Sequence, residues 1–497
     1  MGNYKKGAAL SVAATITGKI FSFASSLLVA FYFGATVKTD IYFYLILICA
    51  IITGWLSSIN ISVVVPEFMH QREKSPQKAA ALANYFLYIY CAVALLICAA
   101  VWMFPADTLN LISAFSPEEI SRAGNLMFLS AVYFCTFFIM SYLICLAESF
   151  KMFGIYFFAP LNTLLPLVFL VLSKNIESMF LGYISAYLIQ IAACLFLLKT
   201  KAQWHFNFAK PEINKRFKDN FIYSQPGALV WAAVLYAPVF MISSSQAGMV
   251  SAVNYSRMLS DSPTDILTSK VNNVAKVKFT KEAATQDFKS MAQTVIKTDK
   301  TSVILLAPFC AFSCLFAYEI IIMFFMRGNF NLQDAKTTAG FLQMFILAVP
   351  FIGLNHNITN VFSALRIVKE ITPRYLVLGL IFIAAFILGV KYYGTYAYPV
   401  LFLVMYALMT LINIITLKQF APFIPYGKHI FWTVKTMALS LICAWVVRRI
   451  FGFYQGNVFI KILINGTAFV LLNSALLLLS GDLKELFKTA GLKWKLR

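Results

Sequence analysis

The sequence predicts an all-α membrane protein that crosses the bilayer about fourteen times, as two six-helix lobes followed by two C-terminal helices. Of its 497 residues, 60% are apolar and only 12% are charged, and the mean hydropathy is +0.77. Soluble domains carry about 25% charged residues, so this chain lacks the polar side chains that a water-facing surface needs. The apolar residues also form runs of about 20, the length that crosses the hydrocarbon core as a helix. They do not show the short alternating pattern of barrel strands.

Each long apolar run is interpreted as one transmembrane span. The spans are placed at 8–34, 41–65, 83–104, 123–147, 155–173, 178–198, 222–245, 248–270, 300–325, 337–363, 375–393, 396–417, 430–451 and 457–480. The eighth span, VSAVNYSRMLSDSPTDILTS, is too polar to face lipid and must be lined by protein or water. The long basic loops 67–82, 199–221 and 271–299 are predicted to contain short interfacial helices.

The distribution of basic residues predicts the orientation. The termini and even-numbered loops hold 30 of the 41 Lys and Arg residues, counting those at span ends with the nearer face. Such loops face the cytoplasm, so both termini are predicted to be cytoplasmic. The same rule explains the net charge of +21 without a nucleic-acid partner.

The spacing of the spans predicts three parts. Residues 1–221 form an N-terminal lobe with a basic linker, 222–420 form a C-terminal lobe, and 421–497 contain the last two spans and a cytoplasmic tail. Paired lobes of this kind are common in transporters.

The motifs of soluble and ATP-driven enzymes are missing. There is no Walker sequence, no HExxH and no GxSxG, and no loop is long enough for a catalytic domain. The nine cysteines lie in apolar runs, and none has metal-ligand spacing. We therefore expect a transporter that needs no cofactor. A membrane glycan polymerase or ligase is the enzyme alternative, but it would need larger external loops.

A few charged residues lie within the predicted spans, where each costs about 2.5–3.5 kcal/mol at mid-span. Lys19 either reaches the cytoplasmic surface or lines a wet cavity. Arg257 and Asp261, four residues apart, are either an internal ion pair or the source of a cavity cation. Asp40 either caps the helix that follows the first turn or contacts a gate. These residues predict a hydrated, positively biased interior that suits an anionic substrate.

Short motifs resemble the MurJ/MviN lipid II flippase family, within the multidrug/oligosaccharidyl-lipid/polysaccharide exporter superfamily. The stretch GKIFSFASSLLVAFYFGATVKTDIYFY has the family's basic residue, phenylalanine-glycine-alanine turn and Asp-aromatic pair. NYSRMLSDSP is similar to its eighth-span segment, and FFMRGNFNLQDA to its loop after the ninth span. Two departures lie in the first lobe, where Ser25 and Thr53 stand at or near positions of further family arginines.

The resemblance implies a flippase of the bacterial inner membrane that moves an undecaprenyl-diphosphate saccharide, such as lipid II, from the inner to the outer leaflet by alternating access. Its partners would be that lipid-linked oligosaccharide, membrane lipids and, as candidates, glycan-synthesis enzymes. The predicted substrate-binding residues are Lys19, Asn254, Arg257, Asn355 and His356. The predicted gating residues are Gly34, Asp40 and Arg327.

A drug/cation antiporter of the same superfamily is the alternative function. It would need a membrane-embedded carboxylate facing the cavity, for which Asp261 and Asp265 are the candidates. Twelve spans would also be expected instead of fourteen.

Overall fold

The computed structural model describes residues 2–150, 152–202, 204–452, 454 and 456–479, and none of these lies in a β-strand. Within these ranges, thirteen helices are long and apolar enough to cross a membrane. Long apolar runs become helices there because only an intrasegment hydrogen-bond ladder satisfies the backbone in lipid. The predicted class, a polytopic all-α membrane protein, is confirmed.

The first ten helices supply the first seven predicted spans, with α3, α5 and α6 as short additional helices. They are α1 Gly2–Phe33, α2 Val37–Ile59, α3 Val65–Lys74, α4 Pro76–Met103, α5 Pro105–Ile112, α6 Pro117–Ser121, α7 Asn125–Ser149, α8 Leu161–Ser173, α9 Glu177–Ala202 and α10 Lys215–Ser243.

The second half of the chain supplies the remaining spans. Its helices are α11 Met249–Pro263, α12 Ser269–Ala284, α13 Phe288–Leu315, α14 Ala317–Phe325, α15 Leu332–Leu365, α16 Val368–Tyr393, α17 Ala397–Phe420, α18 Tyr426–Phe451 and α19 Val458–Leu479.

The predicted eighth span is the one that does not form a long apolar helix. It begins as α11, which ends at Pro263, continues through a π-helical turn at Thr264–Thr268, and then enters α12. Proline has no backbone N–H and disturbs the helical ladder, and π-turns are frequent at functional sites. This segment is not among the thirteen membrane-length helices of the described chain, which agrees with its polar sequence.

The chain forms two compact units. The first contains residues 1–251, 328–330 and 379–395, and the second contains 252–327, 331–378 and 396–497. In the first unit, α7 packs against α4 and α9, α8 packs against α1 and α9, and α2 packs against α7 and α10.

The second unit is built around α13. This helix packs against α12, α15 and α18, and α18 packs in turn against α19. Phe279, Val295 and Phe362 belong to one buried cluster, while Phe316 and Phe469 belong to a second one. These two units are defined by contacts between residues, whereas the three predicted parts are defined by the order of the spans along the chain. The division into three parts therefore stays a prediction.

Candidate functional site

The guanidinium of Arg257 lies within the second unit in a frame built by α11, α15 and α17. One nitrogen donates to Oδ2 of Asp261 at 3.2 Å, and another donates to the hydroxyl of Tyr398 at 3.1 Å. Its Cζ lies 4.7 Å from the ring centre of Phe402 and 5.7 Å from that of Phe345. The ion pair, one of the two alternatives for Arg257 and Asp261, is therefore present, and the role of Arg257 as a cavity cation stays a prediction.

This ion pair is only partly buried. The side chains of Arg257 and Asp261 retain 28% and 41% of their exposure. A guanidinium has five N–H donors in a planar fork, so two protein bonds leave donors for a phosphate. Asn254, one turn before Arg257 on the same face of α11, is also partly exposed. The exposed face of α11 thus offers a cation beside an amide.

Lys19 lies on α1 in the first unit and is half-buried. Its neighbour Gly18 faces α8, where the hydroxyl of Thr163 would be 3.8 Å from a Cβ at position 18. Ser25 and Thr53, at or near the positions of the expected arginines, are buried, and their hydroxyls have no hydrogen-bond partner among the described residues. The positive charge predicted for the interior of the first lobe therefore depends on Lys19.

Asn355 lies on α15 and connects that helix to α17. Its amide nitrogen donates to the carbonyl of Tyr406 at 3.1 Å and to the hydroxyl of Thr410 at 2.8 Å. Its amide oxygen accepts from Asn413 at 2.7 Å. These bonds are the usual inter-helix use of a buried asparagine, so substrate contact by Asn355 stays a prediction. His356, the next residue, is exposed and stays a candidate.

Sequence reasoning missed a buried carboxylate, Asp299 on α13. It accepts hydrogen bonds from the amide of Asn357 and, at 3.0 Å, from the hydroxyl of Tyr426. The predicted span began one residue later, so Asp299 was assigned to a basic loop. The buried positions Val295, Ser302 and Leu306 share one helical face with it, and that periodicity was the available signal.

Two predicted motifs meet in the first unit, where the end of α1 contacts the loop before α15. The backbone N–H of Asn329 donates to the carbonyl of Phe31 at 2.9 Å, and its side-chain amide donates to the carbonyl of Tyr32 at 2.5 Å. Gly34 and Gly328 have φ values of +64° and +62°, which favour glycine. A Cβ at Gly34 would lie 2.6 Å from the carbonyl oxygen of Asn329, and one at Gly328 would lie 2.2 Å from that of Phe31. Neither turn has room for a side chain.

Asp40 caps the beginning of α11. Its Oδ2 accepts from the backbone N–H of Gly248 at 2.6 Å, and its Oδ1 accepts from the N–H and hydroxyl of Ser251 at 2.7 and 2.5 Å. The start of a helix has free N–H groups and a positive dipole end, so an anion is stabilised there. Its own helix is capped instead by Thr36 in a capping box, so the alternative that Asp40 caps α2 is wrong.

Arg327 follows the end of α14 and is exposed. Its guanidinium donates to the carbonyl of Met323 at 3.3 Å, which satisfies one free carbonyl at the helix end. The structure thus gives Arg327 a local capping contact, and its role in gating stays a prediction.

The family model described as "Lipid II flippase MurJ" matches residues 29–467 of this sequence. The chain belongs to the lipid II flippase MurJ family. The resemblance seen in the short motifs is confirmed, and so is the expectation of a transporter over an enzyme, because MurJ proteins are flippases.

Curated relatives and solved structures agree with membership of the MurJ family. A probable lipid II flippase MurJ from Borreliella burgdorferi is 22% identical over 407 residues, 79% of each chain. One from Aquifex aeolicus is 24% identical over 404 residues, 77% of each chain. Among solved structures, a lipid II flippase MurJ in an inward closed conformation has a TM-score of 0.77 at 19% identity, covering 94% of this chain and 99% of the other.

A similar fold is also found in a multidrug transporter. An inward-facing multidrug resistance MATE family transporter has a TM-score of 0.63 at 9% identity, covering 82% of this chain and 96% of the other. At this identity the likeness concerns the fold alone.

Proposed function

We propose that this chain moves lipid II, or a closely related undecaprenyl-diphosphate saccharide, from the inner to the outer leaflet for peptidoglycan or surface-polysaccharide synthesis. Membership of the MurJ family supports the class of cargo. The observation that carries the chemistry is the partly exposed guanidinium of Arg257, held between Asp261 and aromatic rings.

The physical problem in this transport is the headgroup. An isolated charge that leaves water for hydrocarbon costs several kcal/mol or far more, and a diphosphate carries about two. Cations in a wet interior replace that water while the prenyl tail stays in lipid. Lys19 and Arg257 are the proposed contacts for the diphosphate, with Asn254 and His356 as polar contacts for the saccharide. Alternating access between two lobes would expose this interior to one side at a time.

The topology we propose has both termini in the cytoplasm of a bacterial inner-membrane protein. The distribution of Lys and Arg supports it. A second support is geometric. Residues 34–35, 248 and 328–330 lie in the connections α1–α2, α10–α11 and α14–α15, which follow odd-numbered spans, and residues 34–35 contact the other two connections within the first unit. Such contacts require these loops to lie on one membrane face.

A pair of variants on α11 separates substrate binding from helix packing. If Arg257 served only the ion pair, Arg257→Ala and Asp261→Asn would have equal effects on transport. If Arg257 also binds the diphosphate, Arg257→Ala should slow flipping at least about tenfold, because it removes charge-assisted hydrogen bonds worth about 1.5–3 kcal/mol. Asp261→Asn should retain transport, since it releases the guanidinium for substrate.

The measurement uses proteoliposomes that contain fluorescent lipid II and a membrane-impermeant quencher. Lys19→Ala is expected to behave like Arg257→Ala. Arg374→Gln is the matched control, because Arg374 bonds Thr416 and Gln419 on α17 within the same unit. Full transport by both Lys19→Ala and Arg257→Ala would overturn the proposed site.

A further inference from the structure

A charged cavity of about 350 Å³ lies in the second unit, where α14 meets the end of α18 and the start of α19. Its lining includes Glu319, Trp445, Arg448, Arg449 and Lys461. None of these residues was singled out in the sequence, and the proposed transport does not use them. The cavity is therefore a separate feature of the molecule.

The cations of this cavity outnumber its carboxylate. Lys461 Nζ lies 3.2 Å from Oε1 of Glu319, and a terminal nitrogen of Arg448 lies 3.8 Å from the same oxygen. Arg449 stacks at 5.4 Å over the ring of Trp445. Three cations around one carboxylate leave a formal charge of +2 on the lining. A phosphate is the anion that arginine forks bind best.

The second carboxylate oxygen of Glu319 lacks a hydrogen-bond donor in the part of the chain that the structure describes. Glu319 is 7% exposed, and its Oε2 has no hydrogen-bond partner among the described residues. A buried carboxylate oxygen without a donor costs about 1–3 kcal/mol or more. An inorganic phosphate or a simple anionic headgroup would neutralise the cations but would repel this oxygen. The best ligand therefore carries a phosphate and, a few atoms away, a positively charged N–H donor.

The exposed apolar side chains near the cavity indicate that its ligand is a lipid. Trp445, Ile450 and Phe459 near the cavity are large apolar side chains that are more than half exposed. Tryptophan beside arginines at a helix end is typical of the membrane interface. We propose that this cavity binds the headgroup of a phosphatidylethanolamine-type phospholipid. Its phosphate contacts Arg448, Arg449 and Lys461, and its ammonium pairs with the carboxylate of Glu319. With the topology proposed above, the odd-numbered loop between α18 and α19 would place this lipid in the outer leaflet.

The test compares lipids that differ only in the headgroup. The purified full-length chain is analysed by native mass spectrometry with phosphatidylethanolamine, phosphatidylcholine or phosphatidylglycerol of identical acyl chains. Phosphatidylcholine has the same phosphate but no N–H donor. We expect phosphatidylethanolamine to bind about tenfold tighter than phosphatidylcholine, the worth of one hydrogen bond to a charged group. Phosphatidylglycerol, which lacks the ammonium, should bind more weakly than phosphatidylethanolamine.

Variants connect this preference to the cavity. Glu319→Gln should remove the preference for phosphatidylethanolamine over phosphatidylcholine. Arg449→Ala should weaken the binding of phosphatidylethanolamine and phosphatidylcholine equally, because Arg449 contacts the phosphate that both lipids carry. Lys391→Ala is the matched control, because Lys391 is also an exposed cation near a helix end and lies 5.7 Å from the ring of Tyr392. This variant should leave the binding of all three lipids unchanged.

Three results would overturn the proposal: equal binding of phosphatidylethanolamine and phosphatidylcholine by the unmodified chain, tighter binding of phosphatidylglycerol, or no effect of Arg449→Ala. If Glu319→Gln does not fold, the comparison of lipids on the unmodified chain and the Arg449→Ala variant still test the proposal.

Discussion

Asp40→Ala is expected to lower the free energy of unfolding by about 3 kcal/mol and to stop transport. The change leaves the N–H groups of Gly248 and Ser251 without their acceptor, and the hydroxyl of Ser251 keeps only its bond to Thr39. Asp40 is only 3% exposed, so water does not readily replace it. The beginning of α11 also loses the negative charge that complements its dipole. Because α11 carries Arg257, a displaced helix start moves the proposed diphosphate contact.

The measurement is thermal unfolding in detergent together with flipping in proteoliposomes. The matched control is Asp287→Ala, since Asp287 caps α13 by accepting from the N–H of Ser290 at 3.0 Å in an exposed position. That variant should cost about 1 kcal/mol, the usual value of one helix cap, and should retain transport. Equal losses for Asp40→Ala and Asp287→Ala would show that the buried cap has no special role.

Gly328→Ala is expected to lower the free energy of unfolding by about 3–4 kcal/mol. Left-handed backbone strain contributes about 1–2 kcal/mol, and the loss of two neighbouring hydrogen bonds contributes about 1 kcal/mol each. The new methyl would lie 2.2 Å from the carbonyl oxygen of Phe31, and backbone atoms cannot rotate away from it. Relief requires separating the loop from the end of α1, which breaks the two bonds that Asn329 donates there. Thermal unfolding of the purified variant measures this cost.

Gly394→Ala provides the control for Gly328→Ala. Gly394 also has a positive φ, +77°, but a Cβ there would meet nothing within 4 Å. It should therefore show only the conformational strain of about 1–2 kcal/mol. If Gly394→Ala and Gly328→Ala had the same unfolding temperature, the close approach of the loop to α1 would contribute nothing to stability.

The sequence predicted the spans well because span length is a local property. About 20 apolar residues cross the membrane wherever they occur, so the thirteen long helices match predicted runs. The eighth span was also identified as polar, for the same local reason. The Arg257–Asp261 pair was predictable because residues four apart on a helix are neighbours.

The remaining features depend on contacts between distant parts of the chain. Asp40 bonds residues 208 and 211 positions away, and no local pattern distinguishes that use from a cap on its own helix. Glu319 lies near the end of a predicted span, and its cationic partners Arg448 and Lys461 follow more than a hundred residues later. For Asp299 the flanking lysines resembled a solvated loop, and the buried face of α13 was not recognised.

The most direct test of the central claim uses a bacterial strain depleted of its own lipid II flippase. This chain is expressed there, its insertion in the membrane is verified, and the lipid II exposed on the outer leaflet is quantified. The account predicts that the chain restores this exposure and cell-wall growth, and that Arg257→Ala does not. A folded, inserted chain that moves neither lipid II nor another undecaprenyl-diphosphate saccharide would contradict it.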